Sequence, residues 1–104
     1  MPAWHHTLVL MDFSEVDVLI VLDGLAVDGT ADIRDWYPPG AERPPGAPEQ
    51  WSASISSEYP LTAVAPVGAH GDLHVDETGA HARFEVVQVA DYTAQVLGRG
   101  DITP

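Results

Sequence analysis

Alternation of apolar and polar residues with a period of two is the feature that most limits the folds open to this sequence. It is clearest between residues 51 and 59, where apolar side chains alternate with polar ones. Successive side chains of a strand point to opposite faces, so this segment predicts a strand with one solvated face, as in an antiparallel sheet. The inward face is predicted to carry Trp51, Ala53, Ile55 and Tyr59. No segment has the apolar spacing of a long amphipathic helix.

Further strands are predicted on both sides of this segment. Residues 7–13 and 16–22 are two apolar runs of strand length, and Phe13-Ser14-Glu15 is predicted as the turn between them. The run 16–22 is apolar on both faces, which is typical of an interior strand that is covered on both sides. Residues 72–75 and 82–89 predict a hairpin, with Ala82, Phe84 and Val86 facing inward.

Two Asp-Gly pairs mark turns in the first third of the chain. Asp28-Gly29 lies between residues 25–27 and 30–33, which read as strand, and it is predicted as the tip of a hairpin. Asp23-Gly24 is then predicted as a bulge within the longer first arm, where glycine supplies a positive φ.

A proline-rich loop is predicted over residues 37–50. Proline cannot donate to a strand ladder, and residues 38–48 contain five prolines in eleven positions. Trp36 and Tyr37 precede the loop and Trp51 follows it. These aromatic residues have two interpretations, which the sequence leaves open: an exposed contact surface for a partner, or the part of the core on which the loop packs.

Taken together, these patterns predict one mainly β domain over residues 1–104. The expected architecture is a small antiparallel sandwich or open barrel of six or seven strands with at most one short helix. Residues 91–98 are compatible with a short helix capped by Asp91 or with a final strand. The helical alternative makes the fold α+β.

The charge of the chain excludes several classes of function. There are 16 acidic and 4 basic residues, a formal net charge of −12, and no cysteine. Direct nucleic-acid binding is not expected, because too few cations are present to neutralise phosphates. A disulfide scaffold and a cysteine zinc site are impossible. The most apolar run, residues 16–27, is interrupted by Asp17 and Asp23, so no membrane association is predicted and a cytoplasmic location is expected.

Seven acidic residues fall within residues 12–35, opposed there only by Arg34. One interpretation is solubility and turn chemistry. The other is a row of carboxylates that imitates the charge of a nucleic acid, a DNA mimic, and so binds a protein with a basic surface. On this second hypothesis, the predicted partner-binding residues are Asp12, Glu15, Asp17, Asp23, Asp28, Asp32, Asp35, Trp36 and Tyr37.

Enzymatic chemistry has weak support in the sequence. No nucleophile motif, dinucleotide fingerprint or phosphate loop is present, and no cofactor is predicted. His70, His74 and His81 lie close together with carboxylates between them, and imidazole and carboxylate are ligands of zinc and iron. A metal-dependent enzyme that uses these three histidines is therefore an alternative function.

The proline loop carries a resemblance. Tyr37-Pro38-Pro39-Gly40, then Pro44 to Trp51, followed by an alternating strand, resembles small uncharacterised acidic proteins of phages and prophages. The resemblance covers residues 16–57 and brings no catalytic residues with it. It implies an inhibitor of a host enzyme or defence system, acting in the host cytoplasm. A further alternative is a structural or assembly subunit that forms a homo-oligomer.

Overall fold

The computed structural model describes residues 12–37, 42 and 45–103, which form six antiparallel strands closed into a barrel. The strands are neighbours in the order β1-β2-β3-β6-β5-β4. Their bounds are β1 Phe13–Leu22, β2 Leu25–Arg34, β3 Ser52–Ser57, β4 His70–Val75, β5 His81–Ala90 and β6 Thr93–Gly98. A single 3-10 turn, Leu61–Ala63, follows β3 among the described residues.

The prediction of a mainly β, antiparallel fold with at most one short helix is confirmed. The barrel is closed, since β1 and β4 complete the circle by pairing from Val18–Val75 to Leu22–Gly71. Closure removes most of the free strand edges that an open sheet leaves. Residues 7–11, the larger part of the first predicted strand, lie outside the described residues.

The core fills the inside of the barrel with alternate residues of each strand, and the alternation is interrupted by bulges in β1 and β5. Every strand contributes inward residues that are almost fully buried, whereas no polar or charged residue is buried among those described. The largest buried side chains are Trp36, Trp51, Phe84, Ile20, Ile33, Ile55, Leu61 and Leu73. The predicted inward positions Ala82, Phe84 and Val86 are confirmed.

The first hairpin turns at a different Asp-Gly pair from the one predicted. Asp23 and Gly24 have φ angles of 50° and 81° and connect Leu22 to its partner Leu25. Two positive φ angles suit the two-residue turn that matches the twist of a hairpin. Asp28-Gly29 lies inside β2, where a Cβ on Gly29 would collide with the carbonyl oxygen of Ser56. That glycine is therefore required for the close approach of β3.

The predicted turn at Phe13-Ser14-Glu15 is wrong, because these residues begin β1. Phe13 pairs with Ile33 and Val16 pairs with Ala31, so Ser14 and Glu15 together oppose the single residue Asp32. This is a β-bulge, and Glu15 adopts the left-handed φ of 50° within it. A bulge and a turn both interrupt the apolar pattern, so the sequence alone did not distinguish them.

Three smaller expectations also changed. β1 is covered on its inner face only, since Leu19 and Val21 are half-buried on the outer surface of the barrel. Tyr59 does not face inward, because β3 ends at Ser57 and leaves Tyr59 48% exposed. Residues 93–98 form strand β6 rather than a helix, after a turn at Asp91 with a φ of 50°.

The C-terminal segment returns to the barrel beside β5. His81 and Thr103 exchange two backbone hydrogen bonds of 2.8 Å, and Ile102 is buried. No helix in the described part of the chain has the length and apolarity needed to cross a membrane.

Candidate protein-binding surface

Carboxylates from three elements gather at one end of the barrel. The start of β1, the end of β2 and the turn between β4 and β5 meet there, since antiparallel neighbours bring these termini to the same end. We call this surface the acidic end, and its members are Asp12, Glu15, Asp17, Asp32, Asp35, Asp76 and Glu77.

Two of these carboxylates are held by hydrogen bonds from the backbone. Oδ1 of Asp32 accepts from the amide of Glu15 at 2.8 Å and from the hydroxyl of Ser14 at 3.5 Å. Oδ1 of Asp12 accepts from the amide of Asp35 at 3.0 Å. Glu15 and Asp35 both have positive φ angles, so each carboxylate satisfies an amide at an irregular point of the backbone. Asp12 and Asp32 are therefore structural as well as charged.

Five members of the acidic end, Asp12, Glu15, Asp17, Asp76 and Glu77, line a cleft of about 600 Å³. Its lining runs from Asp12 to Asp17 along β1 and includes Asp76 and Glu77 from the turn after β4. The amide of Asp76 donates to the carbonyl of Asp17 at 3.1 Å, which holds that turn against β1. The cleft is concave and carries carboxylates on both walls.

The acidic end has no cationic partner in the part of the chain that the structure describes. The described residues form two ion pairs, and both involve Glu85 on β5. Its carboxylate lies 2.7 Å from the guanidinium of Arg99 and 3.8 Å from the imidazole of His70. Arg34 lies on the end of β2 and lines a different cleft with Asp32, and neither it, Arg83 nor Arg99 lines the acidic cleft. Uncompensated carboxylates in a concave surface produce a strong negative potential that attracts cations.

An aromatic layer closes the barrel beneath the acidic end. Phe13, which lines the cleft, packs edge-on against Trp36 with ring centroids 6.4 Å apart, and Trp36 packs against Trp51 at 4.8 Å. A Cβ on Gly98 would overlap the indole of Trp51, so β6 lies directly against that ring. The indole Nε1 of Trp51 is buried and has no hydrogen-bond partner among the described residues.

This layer corrects part of the predicted site. Trp36 is 1% exposed and Tyr37 is 4% exposed, so neither offers its ring to a partner. Of the two interpretations left open for these aromatic residues, the core interpretation is confirmed for Trp36, which belongs to the hydrophobic cluster of the barrel.

The seven predicted acidic residues do not form one row. Asp12, Glu15, Asp17, Asp32 and Asp35 are brought together, whereas Asp23 lies in the β1–β2 turn at the opposite end and Asp28 lies on the outer side of β2. Asp76 and Glu77 were not predicted as members. They are far from β1 in sequence, and only the pairing of β4 with β1 brings them to the cleft.

The three histidines proposed as metal ligands do not form one group. His74 and His81 stack across β4 and β5 with ring centroids 5.0 Å apart. His70 lies at the start of β4, four residues before His74, and pairs with Glu85 on β5. Within the described residues, no three histidine, aspartate or glutamate side chains are placed to hold a metal ion.

Comparison of the chain with family models, curated proteins and solved structures found no match. The functional interpretation therefore depends on the geometry of the barrel itself.

Proposed function

We propose that this protein is a non-enzymatic binding protein whose acidic end occupies a basic surface of a partner protein. The observation that supports this most is the cleft in which Asp12, Glu15, Asp17, Asp76 and Glu77 gather, none of them in an ion pair with another described residue. A basic partner supplies the missing counter-charge. The attraction speeds the encounter and selects against neutral or acidic surfaces.

The partner's surface is one that binds nucleic acid. Such surfaces carry arginine and lysine placed for a line of phosphates. Glu15 and Asp17 are exposed on β1, and Asp76 lies beside Asp17 because its amide donates to the carbonyl of Asp17, so these carboxylates present a group of neighbouring negative charges. Backbone hydrogen bonds hold Asp12 and Asp32 in place before binding, which lowers the ordering cost of association.

This arrangement fits the type of inhibitor that the proline-loop resemblance implies. A protein of this kind competes with nucleic acid for a host enzyme or defence protein in the cytoplasm. The functional residues on this proposal are the exposed carboxylates of the acidic end. Trp36 packs beneath them against Phe13.

The proposal is tested with a partner identified from an extract of the source cell by retention on the immobilised protein. The affinity of the purified partner is then measured at low and high salt, with duplex DNA as a competitor. We expect the affinity to fall steeply with salt and the duplex to displace the protein. An affinity that is independent of salt, or simultaneous binding of duplex and protein, contradicts the proposal.

Charge reversal locates the surface. The triple variant Glu15→Lys, Asp17→Lys, Asp76→Lys is expected to lose at least about tenfold in affinity, mainly through slower association. The matched control reverses Asp23, Asp72 and Asp91, which lie toward the opposite end of the barrel. Equal losses in the two variants would show that net charge, and not the acidic end, governs binding.

A further inference from the structure

One strand of the barrel extends beyond its neighbour. β2 pairs with β1 from Leu25 to Ile33, but it pairs with β3 only from Gly29 onward. β3 ends at Ser57, whose amide donates to the carbonyl of Tyr92 at 2.9 Å. Among the described residues, Leu25–Asp28 therefore have a strand on one side only, and we call this segment the open edge.

Alternate residues of the open edge direct their backbone groups to the side on which the structure describes no strand. The carbonyl of Asp28 faces it, because the hydroxyl of Ser57 donates to that oxygen at 3.1 Å. In an antiparallel strand the amide and carbonyl of one residue point to the same side of the strand. The residue two positions away points its amide and carbonyl to that side as well. The amide of Asp28 and both backbone groups of Ala26 thus face outward. None of them has a hydrogen-bond partner among the described residues.

The surroundings of the open edge are both apolar and acidic. Two adjoining clefts of about 320 and 410 Å³ follow it and share Asp28, Ser57 and Glu58. Leu25 is 41% exposed and Tyr59 is 48% exposed in the smaller cleft. Neither cleft is lined by a lysine, arginine or histidine.

We propose that the open edge binds an extended segment of another protein as an added strand, and that this segment alternates basic with apolar residues. The amides of Ala26 and Asp28 and the carbonyl of Ala26 hydrogen-bond the backbone of this segment, as in other cases of strand addition. Leu25 and Tyr59 contact its apolar side chains, while Asp28 and Glu58 pair with its lysines or arginines. This surface is separate from the acidic end and does not depend on the proposed function.

A second copy of this chain fits the open edge poorly. Pairing two open edges brings Asp28 and Glu58 of one copy against the same carboxylates of the other, and like charges placed opposite one another on strands are destabilising. Charge complementarity therefore favours a basic segment over self-association.

The probe is a seven-residue peptide of alternating lysine and valine with blocked ends, added to the full-length protein. Amide hydrogen exchange is measured residue by residue. At saturating peptide, exchange at Ala26 and Asp28 is expected to slow at least tenfold. Val27, whose amide faces β1, is the internal control and is expected to change less than twofold. Unchanged exchange at Ala26 and Asp28 overturns the proposal, and so does slow exchange there before peptide is added.

Because the probe is basic, variants must separate the open edge from the acidic end. Asp28→Lys is expected to weaken peptide binding at least tenfold, whereas Asp76→Lys, the same change at the acidic end, is expected to weaken it less than twofold. Ala26→Pro removes one outward amide and is also expected to cost at least tenfold. Equal losses for Asp28→Lys and Asp76→Lys overturn the proposal. So does light scattering that finds a dimer which Ala26→Pro dissociates, because the occupant is then a second copy.

Discussion

The two ends of the barrel both carry acidic residues, but the carboxylates have different relations to the backbone. At the acidic end, Asp12 and Asp32 accept hydrogen bonds from amides at irregular points of the chain. At the open edge, Asp28 and Glu58 lie beside backbone groups that have no partner among the described residues, and the hydroxyl of Ser57, not a carboxylate, donates a hydrogen bond to β2. Local backbone geometry, and not the number of acids, therefore decides whether a carboxylate stabilises the fold or only borders a surface.

The largest difference between the ends is expected from two glycine substitutions. Gly98→Ala places a methyl group in the indole of Trp51 beneath the acidic end, and we expect a loss of about 3 kcal/mol in the free energy of unfolding. Gly24→Ala meets no atom within 4 Å and is limited to the strain of its φ of 81°, about 1 kcal/mol. Urea unfolding measures both. Similar losses would mean that the aromatic layer yields easily to β6.

The next effect concerns the aspartates of β2. Asp32→Ala leaves the amide of Glu15 and the hydroxyl of Ser14 without their acceptor, and we expect a loss of about 2 kcal/mol. Asp28→Ala removes no side-chain hydrogen bond and is expected to change stability by less than about 0.5 kcal/mol. Asp32→Asn keeps an oxygen acceptor and should recover part of the loss. If Asp32→Ala and Asp28→Ala unfold at the same urea concentration, the carboxylate does not hold the bulge.

Much of the barrel was predictable, because burial of alternate residues is a local property of each strand. The segment 51–57, the hairpin around residues 76–79 and the inward face of β5 follow from the period of two alone. Asp23-Gly24 and Asp28-Gly29 look the same in sequence. What separates them is the approach of Ser56 to Gly29, a contact between strands that no local pattern records.

The acidic end was predictable only in part for the same reason. Proximity in sequence grouped all seven acidic residues of 12–35, and the pairing of β1 with β2 brings five of them together and separates Asp23 and Asp28 from the rest. Asp76 and Glu77 join through the contact that closes the barrel, β1 with β4. Trp36 and Tyr37 were ambiguous, since an aromatic residue beside a proline loop suits an interface and a core equally.

A smaller effect is expected from relief of backbone strain at one residue near each end. Glu15 and Asp23 both have a φ of 50°, which glycine adopts without strain. Glu15→Gly and Asp23→Gly are each expected to add about 1 kcal/mol to the free energy of unfolding at high salt. At low salt the gain in stability should be larger for Glu15→Gly than for Asp23→Gly, because Glu15→Gly removes a charge from a cleft that holds several other carboxylates. A loss of stability in Glu15→Gly would show that its side chain supports the bulge.

The smallest effect isolates repulsion itself. Glu77→Gln and Glu58→Gln make the same change in side chain at the acidic end and near the open edge. We expect Glu77→Gln to raise the free energy of unfolding by about 0.5 kcal/mol at low ionic strength, because it removes one of several neighbouring charges. Glu58→Gln has fewer carboxylates beside it and should gain less. The screening length for exposed charges shortens to about 10 Å at 0.1 M salt. The stabilities of the two variants should therefore converge as salt is added. If the difference in stability persists at high salt, the gain comes from packing or hydrogen bonding of the glutamine. Repulsion between the carboxylates of the acidic end would then have no measurable effect on stability.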